Sequence, residues 1–120
     1  HDSVGREPRG PRDAEPFLKG LAKRVRRFER CQVLLYQAGA DPHVDDPLGG
    51  WMTSEQLARR DQIVFETTRE MGLPVAWNLA GGYQRDEAGT IAPVLAIHRR
   101  TMEVCCSVFG NAPLDARAQT

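Results

Sequence analysis

Two short, nearly unbroken apolar runs constrain this chain more than any other feature. Val33-Leu34-Leu35-Tyr36-Gln37 leads into Ala38-Gly39-Ala40, and Pro74 to Leu79 leads into Ala80-Gly81-Gly82-Tyr83. Short continuous runs of this kind predict parallel strands buried on both faces. Helical patterns surround them. From Asp13, read as an N-cap, the residues Phe17, Leu18, Leu21, Val25 and Phe28 recur at helical spacing, with Lys19, Lys23, Arg26, Arg27 and Arg30 on the other side. Thr53 and Gln56 form a capping box for a helix that runs to Met71, where Gly72 and Pro74 close it. A third helix is predicted from about Thr90 to Phe109, ended by Gly110. The order is therefore αβαβα.

Strands that alternate with helices imply an α/β fold: parallel strands, right-handed crossovers and an open sheet covered on both faces. Ligands bind such sheets at the carboxyl ends of the strands. The loop opening at Asp41 and the loop holding Tyr83 both lie at those ends, on strands joined by one crossover, so they can share a crevice. A two-stranded parallel sheet is not stable alone, because both strands keep an unpaired edge and too little apolar area is covered. The chain is expected to be the later part of a larger α/β domain, or to complete its sheet with another chain. That its first residue is His1, not Met, agrees with this expectation.

The 120 residues suffice for one domain. Sixteen basic residues balance sixteen acidic ones, which removes overall charge as an argument for binding nucleic acid or an anionic membrane. Residues 1 to 30 hold nine Lys or Arg against five Asp or Glu, but no aromatic residues interleave with the basic face, so a solvated helix surface is expected there. No apolar run approaches the length of a membrane span and no signal peptide opens the chain, so a cytoplasmic protein without a membrane partner is expected. Cys31, Cys105 and Cys106 form no CxxC pair and suggest neither a disulfide framework nor a thiolate zinc cluster. Residues 1–12 read as a flexible lead-in and 111–120 as a tail.

Asp41, His43, Asp45 and Asp46 fall within six residues of a loop rich in Pro and Gly. Metal binding is one reading of this cluster, and ordinary turn chemistry is the other. In the second loop Gly81-Gly82 lets the backbone approach a ligand and then presents the phenol of Tyr83, either for packing or as a donor to an oxygen gaining charge. Other polar residues have structural readings. His98 lies on the apolar face of the last helix, where a hydrogen-bonded core histidine is expected. Arg60 and Asp61 are expected to tie their helix to the Asp45-Asp46 loop. Cys105 and Cys106 read as small apolar residues, and Trp51 and Trp77 as packing residues, with Trp51 placed to shape a pocket.

Tyr36-Gln37-Ala38-Gly39-Ala40-Asp41, Asp46-Pro47-Leu48-Gly49 and Leu79-Ala80-Gly81-Gly82-Tyr83, in this order and spacing, resemble the C-terminal part of the zinc-dependent histone deacetylase superfamily, which includes acetoin-utilisation proteins and acetylpolyamine amidohydrolases. The resemblance covers roughly Phe17 to Phe109. It implies that residues 13–110 are the C-terminal part of a deacetylase-like catalytic domain, a fragment of an arginase/deacetylase-like three-layer αβα fold. By the same resemblance Asp41 is a zinc ligand, and Tyr83 polarises the scissile amide and stabilises the tetrahedral intermediate. Gly81 and Gly82 line the acyl-lysine channel and Leu48 stands at its rim. The family's first glycine of that turn is Ala80 here. Its tandem histidines and its Asp-x-His zinc ligands lie upstream of every residue in this chain. Asp41-Pro42-His43 imitates the latter in spelling but occupies the place of the later ligand, which leaves His43 a loop or pocket-rim role. The implied substrate is an acetylated amine, of acetyl-lysine or acetylpolyamine type, and the implied partner is the upstream part of the same domain. Without that part the chain is expected to be inactive and to bind zinc weakly. The alternative is a non-enzymatic remnant or interaction module that keeps the fold without the metal.

Overall fold

A computed structural model describes residues 1–2 and 9–110; most of the lead-in (3–8) and the whole of the 111–120 tail lie outside the described residues. Helix α1 (Ala14–Arg26) precedes strand β1 (Leu34–Gly39), helix α2 (Ser54–Met71) crosses to strand β2 (Val75–Ala80), and helix α3 (Ala92–Phe109) follows. The strands are parallel and in register from Leu34 opposite Val75 to Gly39 opposite Ala80. This is the α/β architecture with parallel strands that the alternation of elements requires.

Helix α2 packs against both α1 and α3. It carries the two sharpest local signals. Thr53 has extended backbone, its Oγ1 accepts the Gln56 N–H at 3.2 Å, and its own N–H donates to Gln56 Oε1 at 3.0 Å. At the other end Gly72 is left-handed (φ 64°); its N–H donates to Arg69 O and the Leu73 N–H donates to Thr68 O, a Schellman stop. The expected N-cap of α1 takes a different form. A 3-10 turn, Pro11–Asp13, leads into the helix, so Asp13 already has helical backbone and its Oδ2 accepts the Gly10 N–H instead of capping α1.

The third helix starts at Ala92, later than its pattern predicts. Thr90 is engaged in closing the preceding loop: its N–H and hydroxyl both donate to the Asp86 carboxylate, and its Oγ1 then accepts the Ala92 N–H. Gly110 keeps helical backbone (φ −67°), so it is not the left-handed stop that a terminal glycine suggests.

The core lies between one face of the sheet and the helices. Leu34 and Ala38 are buried on that face. Phe65 of α2 stacks edge-on against Tyr36 at 5.8 Å and tilts against Trp77 at 6.0 Å. On the opposite face Leu35 is 78% exposed, and Gln37, Ala76 and Asn78 are exposed with it. The expectation of strands buried on both faces therefore fails for the described residues. Side chains alternate across a strand, and α2 engages one side of the sheet through Phe65, so among the described residues the other side has no layer over it.

Candidate active site

Both chemically loaded loops leave the same end of the sheet. The Ala40 N–H donates to Ala80 O at 2.9 Å, which carries the pairing one residue past β1, against the last residue of β2. Asp41 follows at once. Its Oδ1 lies so close to Gly39 and Gly81 that a Cβ on either would stand 2.8 and 2.0 Å from it. Gly81 (φ 55°) and Gly82 (φ 99°) are in conformations that favour glycine, and a Cβ on Gly82 would also meet Val94 at 2.5 Å. The Asp41 carboxylate thus sits in a cradle made by the backbone of both strand ends.

The Asp41 loop is closed on itself. Val44 N–H donates to Met52 O, Met52 N–H to Pro42 O, and Gly50 N–H to His43 O, while Met52 is fully buried. Gly49 packs so tightly on the Asp41–His43 backbone that a Cβ there would fall 1.8 Å from Asp41 O. Asp46 joins this loop to the next. It is 5% exposed, its Oδ1 accepts the Leu48 N–H at 2.9 Å, and its Oδ2 accepts the Tyr83 N–H at 2.7 Å. The sequence signals the first bond as a turn in which Asp bonds two residues on. Nothing in the sequence signals the second, which spans 37 positions.

Asp41, Gly81 and Gly82 come together at the strand ends. Tyr83 follows them with its side chain 56% exposed, and Leu48 is 72% exposed on the facing loop. His43 is buried; its Nδ1 accepts the Asp45 N–H at 3.1 Å and its Nε2 lies 2.9 Å from Ser54 Oγ. With Nδ1 accepting, the neutral ring carries its proton on Nε2 and donates to Ser54, so His43 is not poised to take a proton from that hydroxyl. His43, Ser54, Asp45 and Asp61 line a cleft of about 600 Å³ that reaches Gln84 and Arg100; neither Asp41 nor Tyr83 lines it.

Arg60 and Asp61 are buried but do not reach Asp45 or Asp46 as expected. Arg60 donates to Asp61 Oδ1 at 2.9 Å and to Gly39 O at 2.6 Å. Tyr36 OH also donates to Asp61 Oδ1, at 2.5 Å, and Thr101 Oγ1 donates to Asp61 Oδ2 at 2.6 Å. The reason is direction: these residues face the sheet and α3, where the β1 carbonyl end and two hydroxyls bond to a buried ion pair, while Arg60 Nη2, 2.8 Å from Asp61 Oδ1, makes no hydrogen bond among the described residues. Burial pushes the Tyr36 phenol above its ordinary range, with Arg60 opposing and Asp61 reinforcing the shift.

His98 is buried as expected, yet its Nδ1 makes no hydrogen bond among the described residues. Trp51 packs edge-on against Phe17 of α1 at 5.2 Å, which makes it part of the core between α1 and the loop. Cys105 is partly buried and Cys106 exposed.

Among the described residues, no three of His, Cys, Asp and Glu are grouped to hold a metal ion. Protein zinc sites use three or four side-chain donors. A single carboxylate with one oxygen fixed between two glycines fits one ligand position and no more.

The histone deacetylase domain matches residues 14–97. An uncharacterized protein of Picosynechococcus sp. is 36% identical over 96 residues, covering 77% of this chain and 32% of that protein. Histone deacetylase 2 of Arabidopsis thaliana is 36% identical over 62 residues, covering 51% of this chain and 16% of that protein. No solved structure matches. The chain belongs to the histone deacetylase family, and it spans a third or less of the length of these relatives.

Proposed function

We propose that this chain is the C-terminal part of a zinc-dependent amidohydrolase that removes the acetyl group from an acetylated amine, of acetyl-lysine or acetylpolyamine type. The observation that carries the reading is the contact of Gly81 with the Asp41 carboxylate in a chain of this family: it brings the carboxylate loop and the phenol loop to one place.

In this reading residues 13–110 are a segment of a larger domain, and the upstream polypeptide supplies the remaining ligands, the groups that carry protons and the cover for the bare sheet face. The metal, when bound, supplies Lewis-acid polarisation of the amide carbonyl. Asp41 contributes one ligand. Its orientation is set by the Gly39–Gly81 cradle and, one step back, by Arg60 holding the Gly39 carbonyl. Tyr83 donates its hydroxyl proton as a hydrogen bond to the carbonyl oxygen as that oxygen gains charge, a contact worth about 3 kcal/mol or roughly a hundredfold in rate. Gly81 and Gly82 let the backbone lie along the acyl chain, and Leu48 offers an apolar rim. Isolated from the upstream part, the chain is inactive.

Tyr83→Phe in the complete protein carrying this chain tests the reading. Turnover of an acetyl-lysine peptide or an acetylpolyamine should fall by about a hundredfold while zinc content stays at the wild-type level, as for a donor that acts in the transition state. Unchanged turnover removes Tyr83 from the mechanism.

A further inference from the structure

We propose that Asp46 is the positioning residue for Tyr83: a buried carboxylate clamp that fixes the phenol loop against the metal-ligand loop. The proposal rests on the deacetylase reading for its catalytic meaning, but the clamp itself is a matter of geometry. Asp46 is 5% exposed, and each carboxylate oxygen takes one backbone N–H, from Leu48 at 2.9 Å and from Tyr83 at 2.7 Å. Its backbone is held as well, since its N–H donates to His43 O and its carbonyl accepts the Gly49 N–H. The clamp is thus anchored in the closed loop that carries Asp41.

The other side of the clamp needs such an anchor. Gly81 and Gly82 adopt positive φ and have no side chain with which to hold the turn. Among the described residues, the Tyr83 N–H bond to Asp46 is the hydrogen bond that ties residues 81–84 to the facing loop. A hydrogen bond to a carboxylate is about twice as strong as one between neutral groups, which adds a directional tie to the close packing of Gly81 on Asp41 and of Gly82 on Val94. With the backbone N–H of Tyr83 pinned, its phenol searches a restricted arc, and Leu48 is set by the other oxygen of the same carboxylate. One side chain therefore positions both the donor and the rim residue of the proposed channel.

The experiment is a double-mutant cycle in the complete protein carrying this chain, with Asp46→Asn and Asp46→Ala made in wild-type and Tyr83→Phe backgrounds. Asp46→Asn keeps the volume but turns an NH2 group toward one of the two donors. If Asp46 acts through Tyr83, the Asn variant lowers kcat on an acetyl-lysine peptide by about tenfold or more, the scale of a misplaced catalytic group. KM stays within about threefold and zinc content is unchanged, because the loss is in the transition state. In the Tyr83→Phe background the same substitution lowers kcat by less than about twofold, since coupled residues are not additive. Equal losses in both backgrounds, or no loss in wild type, overturn the proposal. If the wild-type protein hydrolyses no acetyl amide, the deacetylase reading fails and backbone hydrogen exchange decides the clamp separately. Exchange of the Tyr83 N–H at least about tenfold faster in Asp46→Ala, with α2 amides unchanged, supports it; an unchanged Tyr83 N–H overturns it.

Discussion

A methyl group on Gly81 would stand 2.0 Å from Asp41 Oδ1, where no atom fits. Gly81→Ala therefore has to move the carboxylate or the turn, and it does so at a φ of 55° that disfavours alanine. The expected outcome in the complete protein is loss of most bound zinc together with activity, read by metal analysis of the purified variant. This contrasts with the expectation for Tyr83→Phe, in which zinc content should stay at the wild-type level. Zinc retained at the wild-type level in Gly81→Ala would show that Asp41 is not held by this cradle in the assembled site. At this scale the sequence singled out Asp41, Gly81, Gly82 and Tyr83, because they stand in recognisable motifs. It did not reveal what holds them. The bond from the Tyr83 N–H to Asp46 and the bond from Arg60 to Gly39 O join positions 37 and 21 residues apart, and no local pattern encodes such pairs.

The helices and strands follow from local rules where caps are strong and depart from them where a neighbouring group competes. Thr53, Gln56 and Gly72 define α2 as their types dictate, and Gly72→Ala, which puts a side chain at φ 64°, should cost about 1 kcal/mol in urea unfolding. Helix α3 starts late because Asp86 claims Thr90 first. The link between α2, β1 and α3 is the buried group of Arg60, Asp61, Tyr36 and Thr101. Asp61→Ala leaves the Arg60 charge buried without its partner, and a loss of about 3–5 kcal/mol is expected from chemical denaturation of the complete protein. The Tyr36 phenol, held protonated by burial, adds a pH dependence of defined sign. Its folded value lies above the ordinary 10.0, so its contribution is whole below that pH and is lost as pH rises toward the folded value. Unfolding free energy should therefore decline above pH ~10 more steeply in wild type than in Tyr36→Phe. Equal slopes would remove Tyr36 from the alkaline limb.

At the scale of the molecule, the sheet has two strands and one covered face among the described residues. Leu35 at 78% exposure, paired with Ala76 and followed on the same face by the polar pair Gln37 and Asn78, leaves apolar surface open next to strand edges that are unpaired among the described residues. The relatives are three or more times longer than the stretch they share with this chain. Expressed alone, the chain should bind an apolar dye, associate on size exclusion and unfold in urea without a sharp transition. Joined to the upstream polypeptide it should lose all three properties. A compact, cooperative monomer of the isolated chain would contradict the idea that the sheet is completed from outside.

The sequence by itself determined the order of elements, the parallel strands, the two loops at their carboxyl ends and membership in the family, because periodicity, caps and short motifs are written in contiguous residues. Tertiary structure alone decided which strand face is covered, which carbonyl Arg60 grips, and that Asp46 joins the two loops. The physical reason is that buried polar groups must find partners wherever the packed elements bring them, and the identity of those partners depends on distances in space between segments far apart along the chain.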